Sequence, residues 1–138
     1  MFNKVLMATD GSEASKAAIK YYLDRASKNT EFILLTVTAA PRDPRADPTD
    51  KIAIQRGQMW ERHNDSIRYV GQIRQDLTVK PLFKEGNASD IIADTADEED
   101  VDLIIMGSRG IGGVKSVLLG STSKAVVDKC RKPILIIK

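Results

Sequence analysis

The sequence contains little of what several protein classes require. Its one cysteine, Cys130, and one histidine, His63, leave no internal disulfide and no cysteine-based metal cage. The longest apolar runs, such as 32–35 and 134–137, hold about four residues, whereas a membrane-spanning helix needs roughly 20. The first residues lack the apolar segment and small-residue cleavage site of a signal peptide. We therefore expect a reduced, cytoplasmic protein without membrane insertion.

A strong excess of one charge is also absent. Lysine and arginine number 21 against 19 acidic residues, which gives a net charge of +2. Because the net charge is so small and the signs are mixed along the chain, we expect no nucleic-acid partner and no electrostatic attraction to a membrane surface. The 138 residues, 42% of them hydrophobic, are enough for one domain, 1–138, with a core of its own.

Short apolar runs alternate with helical patterns along the chain. The runs are continuous rather than alternating, which is typical of strands buried on both faces of a sheet. They lie at 4–8, 32–38, 79–83, 103–106 and 134–137, and the third contains Pro81, which predicts an edge strand. The helices are predicted at 12–28, 50–76, 87–99 and 121–131, with Ser12 and Asn87 as N-caps.

Strands that alternate with helices predict parallel pairing and right-handed crossovers. The fold class is therefore α/β, a single doubly wound parallel sheet of five strands with helices on both faces. Such sheets bind ligands at the carboxyl ends of their strands, near the switch point in strand order. The proline-rich stretch 41–48 follows the second strand and is either a plain surface connection or a flap over that crevice.

Glycine is concentrated in one place, directly after the fourth strand. Residues 107–120 contain five glycines (107, 110, 112, 113 and 120), and Ser121, Thr122 and Ser123 follow at the start of a helix. Glycines let a ligand approach the backbone, whose N–H groups can form an anion nest, and the helix start adds further amides. This pattern predicts phosphate binding, with simple turn formation as the alternative. It is neither a Walker loop nor the dinucleotide fingerprint.

The same residues resemble a known family. The spacing G-x2-G-x9-G-[ST] of Gly107, Gly110, Gly120 and Ser121 is similar to the nucleotide motif of the universal stress protein family. The opening at 4–13 and the ending at 133–137 resemble that family's first and last strands. The resemblance implies a Rossmann-like sheet of order 3-2-1-4-5 and a bound ATP, or AMP or ADP in its place.

The resemblance also places individual residues at the nucleotide. It puts Asp10 near the ribose, although Asp10 could instead only cap the first helix, and it puts the backbone of Val37 at the adenine edge. The pocket and phosphate residues that it implies are Ala8, Gly86, Met106, Gly107, Arg109, Gly110, Lys115, Gly120, Ser121, Thr122 and Ser123.

Three functions are consistent with these residues. The first is a non-enzymatic ATP-binding module of a stress response, the second a slow ATPase or a protein that phosphorylates itself on Ser121 or Ser123, and the third a nucleotide-free dimer. The glycine motif argues against the third. No P-loop lysine and no kinase-type Asp–Asn pair supports the second. No protein metal site is expected, because Mg²⁺ or Mn²⁺ would be held mainly by the ATP phosphates.

The last strand predicts how the protein assembles. No charge interrupts 133–137, and in the order 3-2-1-4-5 this strand lies at an edge, so we expect a homodimer that pairs it with its mate. His63 is expected to pack at the surface or half-buried rather than to bind a metal. Cys130, Met59 and Trp60 are expected to pack as well.

Overall fold

A computed structural model of the chain describes residues 2–40, 51–108 and 119–138. Its strands and helices alternate along the described residues as the sequence predicts. The strands are β1 (Lys4–Ala8), β2 (Glu31–Thr38), β3 (Thr78–Glu85), β4 (Leu103–Gly107) and β5 (Ile134–Ile137). The helices are α1 (Glu13–Leu23), α2 (Lys51–Ile73), α3 (Ala88–Glu98) and α4 (Ser121–Lys129).

The strands form one parallel sheet in the order β3-β2-β1-β4-β5, which confirms the predicted topology. The chain crosses from β1 to β2 on one side and reaches β4 on the other side of β1. The carboxyl ends of β1 and β4 therefore flank the switch point, where open α/β sheets bind their ligands. β3, with Pro81, is an edge strand as expected, and it pairs with β2 alone among the described strands.

Two apolar clusters cover the two faces of the sheet. Alternate residues of each strand point to opposite faces, so neighbours such as Leu6 and Met7 enter different clusters. Side chains of α1 and α2 complete one cluster with Ile19, Leu23 and Val70. Side chains of α3 and α4 complete the other with Ile92, Ala96 and Val126. The sheet is thus covered by helices on both faces.

The buried face of α1 differs from the expected one. The pattern of Ala14, Ala17, Ala18, Tyr21 and Tyr22 predicts the inward face. Ala18 is buried and Tyr22 packs against the core as predicted, but the other buried residues are Ser15, Ile19 and Leu23. The larger branched side chains Ile19 and Leu23 turn the helix so that Tyr21 lies outside, where the Arg25 guanidinium stacks 3.9 Å from its ring centroid. One consequence is that the hydroxyl of Ser15 faces the protein interior.

Both predicted N-caps are confirmed. Ser12 Oγ accepts a hydrogen bond from the Ser15 amide at 3.2 Å, and Asn87 Oδ1 accepts one from the Asp90 amide at 3.1 Å. Such caps satisfy amides that a helix start leaves without a partner.

The acidic run 97–102 makes hydrogen bonds and ion pairs near the amino ends of the strands, away from the switch point. Asp102 Oδ2 accepts the amides of Asn3 and Lys4 at 2.8 and 3.0 Å, and these hydrogen bonds lower the pKa of its carboxyl. Glu99 pairs with Lys4 and Lys80 at 3.2 and 2.8 Å. No group of acidic, histidine or cysteine side chains in the described part of the chain could hold a metal ion. Nor does any helix there have the length and apolar character needed to cross a bilayer.

Candidate functional site

Three of the predicted site residues, the buried Met106 and the half-buried Ala8 and Val37, form an apolar strip at the carboxyl ends of adjacent strands. Ala8 ends β1, Val37 lies near the end of β2, and Met106 lies near the end of β4. All three pack with the cluster on the α3 and α4 face. Because β2, β1 and β4 are neighbours in the sheet, these side chains line one continuous strip beside the switch point.

Asp10 lies directly beyond β1, in a tight turn that leads into α1. Its Oδ1 accepts the Ser12 amide at 2.9 Å and the Ser15 hydroxyl at 3.1 Å. Gly11 has a φ of +79°, and a Cβ there would lie 2.9 Å from Cβ of Arg62 on α2, so both conformation and space require glycine. Asp10 therefore stabilises the start of α1, in line with the alternative interpretation that it caps this helix. Its position directly after β1 also places it at the switch point.

A chain of buried hydroxyls continues from Asp10 into the protein. Thr9 Oγ1 donates to Ser15 Oγ at 3.1 Å and lies 3.3 Å from Ser66 Oγ on α2. Thr9 Oγ1 also accepts the Gly11 amide at 3.2 Å. The turn after β1 is thus tied to both helices on its face of the sheet.

Gly107 ends β4 against the backbone of α1. A Cβ at this position would lie 2.7 Å from the Ala14 carbonyl carbon and 2.8 Å from the Ser15 amide nitrogen. Only glycine allows β4 and α1 to approach this closely. Gly107 consequently has a packing role that is independent of any ligand.

Two hydrogen bonds join the first turn of α4 to the end of β4. The Gly120 amide donates to the Ser108 carbonyl at 2.5 Å, and the Ser123 hydroxyl donates to the Gly107 carbonyl at 2.9 Å. Ser123 is buried, whereas Ser121 is exposed and Thr122 half-buried. The Ser123 hydroxyl is therefore occupied by the backbone, and the surface hydroxyls of this turn belong to Ser121 and Thr122.

This helix start suits an anion. Glu13 lies in the first turn of α1 and Asp90 in that of α3, whereas the first turns of α2 and α4 carry no acidic residue. Gly120, the N-cap, adds no side-chain cap bond. The amides of such a turn have no partner within the helix, and the helix dipole adds positive potential there.

The structure describes one of the remaining predicted positions, Gly86, but not the others. The Gly86 amide donates to the Thr38 carbonyl at 2.9 Å, which brings the loop after β3 to the carboxyl end of β2. Arg109, Gly110, Lys115 and the stretch 41–48 lie outside the described residues, so their predicted roles remain predictions.

His63 is more deeply buried than expected. Its side chain on α2 is 3% exposed, and its Nδ1 lies 2.8 Å from Thr36 Oγ1 on β2, within hydrogen-bond distance. Its ring also contacts Phe83 and Trp60, with centroids 5.5 and 5.8 Å away. Burial lowers the pKa of His63 below that of an exposed histidine. His63 is thus a packing residue that joins α2 to the sheet, and its burial disfavours the protonated imidazole.

The buried His63 predicts a specific pH dependence of stability. An unfolded chain takes up a proton at this histidine as the pH falls through about 6.5, whereas the native state resists protonation. The free energy of unfolding should therefore fall between about pH 7 and pH 5, above the range where carboxyl groups titrate. Urea unfolding across this range should show the slope in the wild type and lose most of it in His63→Gln. Identical slopes would contradict this account.

The residues that hold the turn after β1 are not predicted by the sequence motifs; they are Thr9, Ser15 and Ser66. One available signal is that Ser15 stands three and four residues before Ala18 and Ile19, on the face that the larger apolar side chains select. Ser66 has no comparable signal, because its partner Thr9 is 57 positions away.

The doubly wound sheet and the helix start at its switch point define a Rossmann-like α/β domain, a class of fold in which ligands bind at the carboxyl ends of the strands. The chain belongs to the universal stress protein family, whose sequence model matches residues 1–138. It is 31% identical over 143 residues to the universal stress protein in the QAH/OAS sulfhydrylase 3′ region of Thermus aquaticus, with 100% of both chains covered.

Solved structures show the same fold. The structure of protein MJ0577 of Methanocaldococcus jannaschii has a TM-score of 0.82 and 29% identity and covers 100% of this chain and 96% of its own. A universal stress protein family member from Arabidopsis thaliana, described with AMP bound, has a TM-score of 0.70 and 20% identity, with 99% and 91% covered.

Proposed function

We propose that this protein is an ATP-binding regulatory module that reports nucleotide state in a stress response through its partner or dimer surface. One observation carries the proposal: the strip of Ala8, Val37 and Met106, the Asp10 turn and the first turn of α4 all lie at the switch point. They offer an apolar surface, a carboxylate and an amide-rich helix start, which match a base, a ribose and a phosphate chain.

The base and ribose sides of the proposed site follow from the strand ends. The purine would lie on the apolar strip and reach the backbone N–H and C=O of Val37 at its edge. The ribose would then lie over the turn after β1, within reach of Asp10. The Arabidopsis thaliana relative described with AMP bound supports a nucleotide monophosphate as the minimal ligand.

The phosphate side of the proposed site lies at α4. The amides of the first turn and the exposed Ser121 hydroxyl would bind the phosphates, with Thr122 beside them. Arg109, Gly110 and Lys115 belong to this side in the proposal because the family motif includes or adjoins them. A divalent ion, Mg²⁺ or Mn²⁺, would be held mainly by the ATP phosphates and would offset part of their negative charge.

Slow hydrolysis or autophosphorylation is the second candidate function. Ser121 favours it, because this exposed hydroxyl lies at the helix start that would receive the phosphates. Ser123 is a poor phosphate acceptor, because its buried hydroxyl already donates to Gly107. We expect turnover far below the enzyme median of about 10 s⁻¹. Measured ATP hydrolysis near that rate would make the protein an enzyme.

The proposed function is tested by the nucleotide that the protein carries. Mass analysis of material released from protein purified without added ligand should detect adenine nucleotide. Calorimetry on stripped protein with ATP, ADP and AMP, with and without Mg²⁺, should then show binding and give the phosphate preference. No binding of any of the three would refute the proposal.

We also propose a homodimer through β5. Among the described strands β5 pairs only with β4, and its residues 134–137 are all half-buried in the monomer. An apolar edge with unpaired backbone groups can pair with a second copy across a twofold axis.

Ile136→Lys should convert this dimer to monomer, because the added charge would be buried between paired edges. Sedimentation at micromolar concentration measures the change. Ile54→Lys is the matched control, since Ile54 is 56% exposed on α2 and its replacement should leave the dimer unchanged. A wild-type monomer, with or without ATP, would contradict the β5 model.

A further inference from the structure

We propose that Ser15 is a positioning residue that fixes the Asp10 carboxylate for a ligand, and that Thr9 and Ser66 direct its proton toward Asp10. The inference rests on the proposed function, since it concerns how tightly the site binds the ribose part of a nucleotide. It adds to that function a dependence on α2, which carries Ser66.

Ser15 Oγ is the centre of the hydrogen-bond network after β1. It is 4% exposed and lies 3.1 Å from Thr9 Oγ1, 3.2 Å from Ser12 Oγ and 3.1 Å from Asp10 Oδ1. The Ser12 carbonyl oxygen is 3.0 Å away. Water has almost no access to this hydroxyl.

The proton count decides which of these contacts matters for Asp10. A serine hydroxyl has one proton and two lone pairs. Thr9 and Ser12 Oγ both donate to Ser15, so its lone pairs are filled and its proton must go to an acceptor. The available acceptors are Asp10 and the Ser12 carbonyl, and a carboxylate is the stronger because the bond is charge-assisted.

Ser66 donates the next hydrogen bond in the chain. It is 0% exposed, and its Oγ lies 3.3 Å from Thr9 Oγ1, where either atom could donate. Since Thr9 gives its own proton to Ser15, Ser66 must donate to Thr9. The negative charge on Asp10 thus orders the hydroxyls as Ser66, Thr9, Ser15 and Asp10, and each bond in such a chain strengthens the next.

The network holds one carboxylate oxygen from two sides. The Ser12 amide reaches Asp10 Oδ1 at 2.9 Å in addition to the Ser15 hydroxyl. Two donors on one oxygen fix the plane of the carboxylate before a ligand arrives. A group held in its binding orientation in advance costs less entropy when it binds.

The experiment compares ATP with 2′,3′-dideoxy-ATP, which lacks the ribose hydroxyls that a carboxylate would bind. Ser15→Ala should weaken ATP binding about three- to tenfold, the range of one net hydrogen bond. It should leave dideoxy-ATP affinity unchanged, and it should have no further effect in Asp10→Ala protein. Ser66→Ala should produce the same pattern with a smaller loss, about twofold, because it acts two bonds away.

Thr30→Ala is the matched control. Thr30 is also 4% exposed, and its hydroxyl donates to the Phe2 carbonyl at 2.8 Å, just before β2 at the opposite end of the sheet. This variant should lose a similar amount of stability without any change in affinity for either nucleotide.

Several results would overturn the inference. Equal losses for ATP and dideoxy-ATP in Ser15→Ala would show a merely structural role, and so would a loss that persists in the Asp10→Ala background. An unchanged ATP affinity in both Ser15→Ala and Ser66→Ala would refute it directly. If wild-type protein binds no nucleotide, the proposed function fails and this inference with it, whereas wild-type binding combined with the results above refutes this inference alone.

Discussion

Gly107→Ala is expected to lower the free energy of unfolding by about 3 kcal/mol, a large share of the roughly 5–15 kcal/mol of a typical domain. The added methyl group would lie 2.7 Å from the Ala14 carbonyl carbon and 2.8 Å from the Ser15 amide nitrogen. Both are backbone atoms of α1, so the strain can be relieved only by moving the helix away from β4. Urea or thermal unfolding measures the loss.

Gly71→Ala is the control for this substitution. A Cβ at Gly71 would meet no atom within 4 Å, and the residue is exposed on α2. Alanine there should stabilise the fold by about 0.5–1 kcal/mol, because glycine is unfavourable inside a helix. Equal unfolding midpoints for Gly107→Ala and the wild type would mean that β4 and α1 are not in close contact.

The packing role of Gly107 affects how binding experiments are interpreted. A Gly107 variant that loses ATP binding would not identify a ligand contact, since the shift of α1 would also displace Ser15 and Asp10. Ser123 presents the same difficulty, because its hydroxyl fastens α4 to the end of β4. Gly120 is the better probe of the phosphate side, since its backbone conformation is open to other residues.

The fold could be predicted almost completely from the sequence. Continuous apolar runs alternating with helical patterns define a parallel α/β sheet, and the resemblance supplies its strand order, which the structure confirms. The boundaries of the strands and helices are predicted less well from the sequence. β3 extends through Lys84 and Glu85 beyond its apolar run, because pairing with Val37 and Thr38 of β2 is a backbone property that side-chain pattern does not report.

The candidate site could be predicted only in part. Ala8, Val37 and Met106 lie together because adjacent parallel strands end at one edge, which topology alone predicts. The hydroxyl chain as a whole could not be predicted, because its members come from the turn after β1, from α1 and from α2, and each is an ordinary serine or threonine. The rotation of α1 decides whether Ser15 or Ala14 faces inward, and that depends on how Ile19 and Leu23 pack.

Gly120→Val should weaken ATP binding about a hundredfold or more while the protein stays folded. Gly120 has φ −69° and ψ 165°, a conformation that valine adopts without strain, and no side-chain cap bond is lost. The branched side chain would stand over the first-turn amides of α4 and block the approach of phosphate. Adenosine, which has no phosphate, should bind the variant as it binds the wild type, because Ala8, Val37, Met106 and Asp10 are untouched.

Calorimetry with both ligands measures the difference, and Gly71→Val, with open space around its Cβ, is the control. A parallel loss of ATP and adenosine binding, or no loss of either, would move the phosphate site away from the start of α4.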